Sequence, residues 1–410
     1  MQIDLKGKSV LLGVTGSISA YKACDIARLF VKAGADVHVV MTNAAERFVS
    51  TLTFEALTRN AVLTDSSESW ANDLNHIDIG KKCDIFLISP CSANTINKLS
   101  KGIADNILTQ TALAFGKKIL IAPAANTQML QNTHTVESLS MLALDGYTLI
   151  NPQVKELACG DVGSGALAEP QEVFYAGAKA LLEELFWNNR AVVVTGGGTR
   201  EKIDEVRYIS NFSSGKMAKA ICLTLYLKGA NVTYITSMGT EGLPLELQSI
   251  KVEDASQMSE HTKSAMEIAK NINENKEPYL FMVAAVADFT PKYPKEGKLK
   301  KSSLGDAWNI ELKQTEDIIF NLDKSGIKTV AFKAEMNSEE GLKNAENLLT
   351  QKNADAVCYN LLQDANSFGG DENEITFITP STKVALGRHS KLNLAKHIVN
   401  ESKKLLNVEI

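Results

Sequence analysis

Eleven consecutive residues, Arg207-Tyr208-Ile209-Ser210-Asn211-Phe212-Ser213-Ser214-Gly215-Lys216-Met217, gather hydroxyls, an amide, two cations and a glycine just ahead of a helical pattern. That mixture suits anion binding. Glycine lets the backbone approach a ligand, and Ser and Asn supply helix caps and donors. The amino end of a helix carries the partial positive charge that a phosphate or carboxylate seeks. The plainer reading of the same residues is a capped surface helix after a long loop. Further on, the strand end Ala284-Ala285-Val286-Ala287-Asp288-Phe289 offers Asp288 to a metal or nucleotide, and Lys298-Leu299-Lys300-Lys301 follows. A lysine run is usually solvated surface, but its place just beyond a strand end bearing an Asp favours function.

The first half of the chain carries a second set. Gly13-Val14-Thr15-Gly16-Ser17-Ile18-Ser19-Ala20-Tyr21-Lys22 reads as a strand-to-helix turn able to cradle a phosphate, without a full GxGxxG or a Walker lysine pattern. Further strand ends add Thr42 and Ser89-Pro90-Cys91-Ser92-Ala93-Asn94-Thr95, and ligands of open α/β sheets collect at such carboxyl ends. His76 is suited to act as a base or substrate anchor, or as an ordinary structural histidine. Asn126, after a predicted strand, is placed to bind a carboxylate or to cap a helix. Cys159, in Ala158-Cys159-Gly160-Asp161-Val162-Gly163-Ser164-Gly165, sits in a glycine-rich loop rather than a core, which makes it a candidate proton donor.

Positioning these residues requires strands and helices in alternation. The first half supplies apolar or helical runs at Ser9–Val14, Ala20–Lys32, Asp36–Met41, Asp84–Ser89, Thr95–Leu99, Lys118–Ala122, Val136–Leu144 and Tyr147–Ile150. Near-continuous apolar strands between helices predict a doubly wound parallel sheet with both faces covered. A second unit starts at Ala191, where a strand and a Gly-rich turn again lead to a helix. Its end, Lys228-Gly229-Ala230-Asn231-Val232, echoes Lys32-Ala33-Gly34-Ala35-Asp36-Val37, with Gly suited to each helix C-cap. Later strands are expected at Tyr279–Ala285, Thr329–Phe332, Ala356–Tyr359 and Ile375–Ile378, with a terminal helix from Lys391. The helical segment Gln171–Asn189 closes the first domain, so the expected domains are 1–188 and 189–410. The loop Asp288–Leu304 is long enough to suggest function.

A chain of 410 residues has room for two such domains. A formal net charge of −5 argues against a nucleic-acid partner, which would call for a concentrated basic face. No apolar run approaches the roughly 20 residues of a membrane span and the first residues have no apolar signal core, so a cytoplasmic protein without membrane partner is expected. The six cysteines contain no CxxC pair, and neither a disulfide framework nor a zinc ribbon is suggested.

The opening Gly-Ser-Ile turn, the His76 motif, Ser92-Ala93-Asn94-Thr95, Gly102-Ile103-Ala104-Asp105-Asn106, the Pro123/Asn126/Met129 spacing and Ala158-Cys159-Gly160-Asp161 together resemble the homo-oligomeric flavin-containing cysteine decarboxylases. With Arg207–Met217, the resemblance extends over nearly the whole chain to the bacterial bifunctional phosphopantothenoylcysteine decarboxylase/phosphopantothenate–cysteine ligases of coenzyme A biosynthesis. It implies a flavodoxin-like N-terminal decarboxylase with FMN and a Rossmann-like C-terminal ligase using CTP and Mg2+. The small-molecule substrates would be 4'-phosphopantothenate, cysteine and CTP. Ligation comes first. The cysteinyl thiol of the product is then oxidised at FMN to a thioaldehyde, which loses CO2 as a β-keto acid does, and the enethiol is finally reduced and protonated. The resemblance places FMN against Gly16, Ser17, Thr42, Ser89, Ser92, Asn94 and Thr95. It assigns His76 to oxidation and decarboxylation, Asn126 to the substrate carboxylate and Cys159 to the final protonation. In the second half it assigns Asn211 to turnover of an acyl-cytidylate, Lys298 to the CTP phosphates and Asp288 to the CTP site with its Mg2+. Around CTP it puts Met282, Val283, Ala284, Thr315, Glu316, Asp317, Ile318, Ile319, Phe332 and Lys352. It also implies a homo-oligomer, a dodecamer built from trimers of the first domain and dimers of the second.

Three positions depart from the family pattern. Ala125 stands where a methionine is usual, Ala166 where an arginine is common, and Leu348 where a second lysine precedes Lys352 by four residues. Two rival readings remain: a flavoprotein cysteine decarboxylase with an inactive second half, and a non-catalytic flavin-binding regulatory subunit. Retained His76 and Cys159 speak against the latter, and Asn211 with Lys298 against both.

Overall fold

The fold is that of a computed structural model describing residues 2–156, 162–272, 275–300, 307–336, 338–362 and 369–406. The chain divides into two compact units, Gln2–Leu182 and Glu183–Ile410.

In the first unit six strands form one parallel sheet in the order Val62–Leu63, Asp36–Met41, Ser9–Val14, Ile85–Cys91, Lys118–Pro123, Thr148–Leu149. Every residue of Ile85–Cys91 is buried, as an apolar run covered on both faces requires. The helix Lys22–Lys32 packs through Ala23, Ile26, Ala27 and Phe30, spaced on one face. Burying a side chain the size of Phe30 contributes roughly 1.5–3 kcal/mol. Set aside the two-residue edge strand Val62–Leu63, and the remaining five run in the 2-1-3-4-5 order of flavodoxin-like sheets. The chain reverses direction across the sheet between Ser9–Val14 and Ile85–Cys91, and this opens a crevice at their carboxyl ends.

The main sheet of the second unit has eight strands in the order Gln248–Lys251, Asn231–Thr236, Ala191–Gly196, Tyr279–Met282, Lys328–Glu335, Ala356–Leu361, Glu372–Ile378, Lys383–Ser390. The first six are parallel and follow the 3-2-1-4-5-6 Rossmann order, while the last two are antiparallel. Its switch point lies between Ala191–Gly196 and Tyr279–Met282. Beyond the strand ends, Ala285 N donates to the Gly197 carbonyl at 2.9 Å, which holds both loops at the crevice. Gly34 and Gly229 take φ of +90° and +91° after their helices, the left-handed C-caps expected of them.

Two elements differ from the sequence reading. Gln171–Asn189 is helical only as Pro170–Leu182. Trp187 is fully buried in the second unit against Phe186 and Tyr279, and Glu184 pairs with Lys228 and Lys403 there, so the chain is drawn into that core before residue 189. The segment Asp288–Leu304 is not wholly a loop, because Phe289–Pro291 pairs antiparallel with Leu312–Gln314.

Candidate functional site

Thr15 organises the crevice of the first unit. Its buried hydroxyl donates to the Pro90 carbonyl at 2.7 Å and accepts from Ser92 N at 2.9 Å, joining two strand ends far apart in sequence. Gly16 is required by contact: a Cβ there would lie 2.6 Å from the Ala44 Cβ. Ser17, Thr42 and Ser92 each accept a hydrogen bond from the backbone of the helical turn they begin, at 3.2, 3.3 and 3.3 Å. Thr95 is buried beneath Ser92, with their hydroxyls 3.1 Å apart, and Asn94 is exposed. Ser89 is fully buried, and among the described residues its hydroxyl has no hydrogen-bond partner. An unsatisfied buried hydroxyl at the carboxyl end of a switch-point strand fits a ligand that brings its own acceptor.

His76 is half-buried and held by a residue that the sequence reading missed. Its Nδ1 lies 2.7 Å from Glu68 Oε1, its backbone N–H reaches the same oxygen at 3.4 Å, and Trp70 stands edge-on to the ring at 5.7 Å. A carboxylate only accepts, so Nδ1 donates to it and Nε2 is the ring nitrogen left for another partner. Asn126 caps the helix Thr127–Gln131, its Oδ1 accepting from Gln128 N at 2.9 Å. Beside it, Ala125 N donates to the Gly165 carbonyl at 3.2 Å, which ties this turn to the hairpin Gln153–Glu156/Val162–Ala166. Cys159 lies outside the described residues.

In the second unit the crevice deepens into a cavity of about 1060 Å3. Asn211 is in its wall, with Nδ2 donating to the Val286 carbonyl at 3.0 Å. Met282, Val283, Ala284, Asp288, Thr315, Glu316, Asp317, Ile318, Ile319, Phe332 and Lys352 line the same cavity. Thr315 fixes its own stretch, its hydroxyl donating to the Ala287 carbonyl at 2.6 Å and its N–H to that of Asp288 at 3.0 Å. Glu316 turns to Ser259 and Lys263, at 3.0 and 2.6 Å, and Asp317 pairs with Lys352 at 2.8 Å. Burial alone would raise the Asp317 carboxyl. The Lys352 ammonium and the N–H groups of Phe320 and Ile319 outweigh it and hold the carboxyl below its usual range.

Three expectations shift. Ser and Asn were expected to cap the helix after Ser214, yet the cap of Lys216–Leu227 is Gly215 at φ +67°, with no side-chain hydrogen bond to the first turn. Arg207 is not in the cavity wall: its guanidinium donates to the Leu299 carbonyl at 3.0 Å and pairs with Asp204 at 3.5 Å. Lys298 is exposed and also outside the wall, because its loop is pinned to the 203–207 turn, with Leu299 N on Asp204 Oδ2 at 3.2 Å and Lys295 N on the Ile203 carbonyl at 3.0 Å. Leu348 lines the cavity, as do Lys333 and Lys391, which no sequence pattern singled out. Among the described residues no cluster of three or more His, Cys, Asp or Glu stands ready to hold a metal, and Asp288 is a single exposed carboxylate. No helix among them is long and apolar enough to cross a membrane.

Comparison with known proteins agrees with this division. Residues 2–181 match the family model "Flavoprotein", and residues 187–406 match "DNA/pantothenate metabolism flavoprotein C-terminal domain". The "Coenzyme A biosynthesis bifunctional protein CoaBC" of Haemophilus influenzae is 37% identical over 97% of this chain and 98% of that protein. Its Bacillus subtilis counterpart is 38% identical over 97% of each. A solved structure of the C-terminal domain of a CoaBC protein is 27% identical, covering 54% of this chain and 98% of that one, with a TM-score of 0.43. Because whole-length relatives match both units in order, the chain belongs to the coenzyme A biosynthesis bifunctional protein family.

Proposed function

We propose that the second unit joins 4'-phosphopantothenate to cysteine with CTP and the first decarboxylates the product with FMN. The observation that carries this reading is the cavity wall. Segments scattered between Asn211 and Lys352 meet there, including every residue implied for CTP except Lys298.

For ligation, the acid's carboxylate attacks the α-phosphorus of CTP and releases pyrophosphate, leaving an acyl-cytidylate that the cysteine amine then opens. The stretches Met282–Ala284 and Thr315–Ile319 border the nucleotide in this reading, and Lys352 meets its phosphates. One carboxylate, Asp288, suits Mg2+, which is commonly held by one or two carboxylates together with substrate phosphates. Asn211, anchored by the Val286 carbonyl, is positioned by its amide at the acyl group. Lys298 contributes to triphosphate binding when its loop leaves the 203–207 turn.

For decarboxylation, bound FMN supplies the two-electron acceptor that a simple α-amido carboxylate lacks. Gly16, Ser17, Thr42, Ser89, Ser92, Asn94 and Thr95 would hold it, and the unsatisfied Ser89 hydroxyl supports that fit. His76 takes a proton at Nε2 while Glu68 fixes its ring. Asn126 binds the substrate carboxylate, and Cys159 returns a proton to the enethiol. We place the enzyme in the cytoplasm as a homo-oligomer, a dodecamer by resemblance.

One incubation tests the reading. Protein with FMN, 4'-phosphopantothenate, cysteine, CTP and Mg2+ should yield 4'-phosphopantetheine, CMP, pyrophosphate and CO2 by mass spectrometry and gas analysis. Decarboxylation of supplied phosphopantothenoylcysteine without ligation would restore the inactive-second-half alternative. Bound flavin with neither reaction would point to a regulatory subunit.

A further inference from the structure

The strand Lys328–Glu335 extends beyond its neighbour Tyr279–Met282, whose last residue pairs with Ala331, and Phe332, Lys333 and Ala334 line the cavity there. Alternate residues of a strand share a face. Ala331 is buried in one core cluster with Ala345 and Leu348 of the helix Ser338–Gln351, so Lys333 and Glu335 also point toward that helix. Glu335 meets it directly. Asn344 Nδ2 donates to Glu335 Oε1 at 3.3 Å, and a Cβ added at Gly341 would lie 2.7 Å from the Glu335 Cβ. The helix then runs back toward Ala356, which pairs with Val330, and is therefore antiparallel to the strand. Two strand residues cover about 6.6 Å and one helical turn about 5.4 Å, so Lys333 stands abreast of the next turn, Ala345–Leu348.

That turn brings no cation to the cavity. Leu348 is 9% exposed and holds the lining position where the family resemblance implies a lysine. Lys352, whose N–H donates to the Leu348 carbonyl at 3.0 Å, is the member of that lysine pair that remains. Lys333 brings an ammonium to the same cavity from the facing strand. Its side chain is 39% exposed and its Nζ pairs with Glu335 at 3.2 Å, a carboxylate outside the cavity wall. An ammonium has three N–H donors, and one carboxylate leaves others free for a further acceptor. Lys352 is held in the same way, 2.8 Å from Asp317. A carboxylate that directs a flexible lysine stem lowers the ordering cost when a ligand arrives. Two cations directed into one wall suit a ligand with several charged phosphates.

We propose that Lys333 is a second triphosphate contact of the ligase site, holding the terminal phosphates of CTP together with Lys352. Its ammonium supplies from the strand the charge that the helix lacks at Leu348. This rests on the ligase reading above.

Calorimetric titration of the full-length protein tests the contact with three probes: a non-hydrolysable CTP analogue, CMP and 4'-phosphopantothenate. Lys333→Met keeps the stem and removes the charge. It should weaken binding of the CTP analogue by about 10–100-fold, as loss of a charge-assisted hydrogen bond does, and leave the other two probes within about twofold. Lys333→Met combined with Leu348→Lys returns an ammonium to the helix and should recover most of that loss, with a melting curve to establish that the variant is folded. Glu335→Gln keeps an acceptor for the ammonium and should leave CTP-analogue binding intact. A loss in Glu335→Gln as large as that in Lys333→Met would make the ion pair structural and overturn the contact. Equal losses for the CTP analogue and CMP would overturn it, as would a loss confined to 4'-phosphopantothenate. Wild-type protein that binds the analogue through Lys333 yet releases no pyrophosphate from CTP and 4'-phosphopantothenate would sink the ligase reading and leave the contact standing. Pyrophosphate release by the wild type with unchanged analogue binding in Lys333→Met would overturn the contact alone.

Discussion

Ser89→Ala should stabilise the flavin-free protein and weaken its hold on FMN, two effects of opposite sign from one atom. The Ser89 side chain is fully buried, and its hydroxyl lacks a hydrogen-bond partner among the described residues. Burying a hydroxyl without compensation costs about 1–3 kcal/mol on protein mutational scales. Alanine removes that cost and leaves a void no larger than one oxygen atom, so stability should rise by about 1 kcal/mol, toward the low end of that range. For a domain of about 150–250 residues this is an upward shift in Tm of about 2–4 °C. A hydrogen bond made to the flavin in the wild type is worth about 0.5–1.5 kcal/mol net, so the variant should bind FMN about 2–10-fold more weakly. Thermal unfolding of the apoprotein gives the first quantity, and quenching of flavin fluorescence on titration gives the second. A lower Tm in the variant would mean that the hydroxyl has a partner after all. A raised Tm with unchanged FMN affinity would remove Ser89 from the flavin site.

In the decarboxylase unit, His76→Asn should abolish CO2 release, whereas Glu68→Gln, which keeps an acceptor for Nδ1–H, should slow it less than Glu68→Ala; equal losses in the two Glu68 variants would deny the ring-orienting role. Cys159→Ser should still release CO2 but stall before 4'-phosphopantetheine, because a hydroxyl is a far weaker acid than a thiol, and normal product in mass spectra would remove Cys159 as proton donor. In the ligase unit, Lys298→Gln should depress pyrophosphate release by about 10²-fold if its ammonium stabilises developing charge. Asn211→Asp should release pyrophosphate once per site and accumulate acyl-cytidylate, as seen in a quenched reaction with labelled CTP; full ligation would exclude Asn211 from the site. The Asp317–Lys352 pair predicts an acid limb in stability. A carboxyl held below its usual range contributes stability that is fully present above the unfolded value and lost as pH falls through the folded one, so Asp317→Asn should flatten that limb in pH-dependent melts.

The parallel sheets were legible from sequence because a strand buried on both faces must be apolar throughout, and Ser9–Val14 or Ala191–Thr195 is recognisable from its own residues. The C-capping glycines and the hydroxyls of Ser17, Thr42 and Ser92 that open turns in the first unit are likewise local, since their partners lie within a few residues. The segment around Asn211 stood out by composition alone as a candidate for binding an anion, and it lines the cavity of the second unit. Long-range partnership was not legible. Nothing near Glu68 announces that its carboxylate grips His76, and the bridge from Thr15 to Pro90 and Ser92 exists only after two distant strands pair. Trp187 looked like the end of a helix, although burial in the second core decides its place. The lysine run at Lys298 looked closer to the cavity than its loop allows, because the hydrogen bonds of Asp204 and Ile203 hold that loop elsewhere. Lys216 and Lys391, 175 positions apart in numbering (391 − 216), became neighbours only through their shared grip on Gly369–Asp371. Local chemistry is written in spacing, whereas charge balance inside a cavity depends on which distant helices the packing brings together.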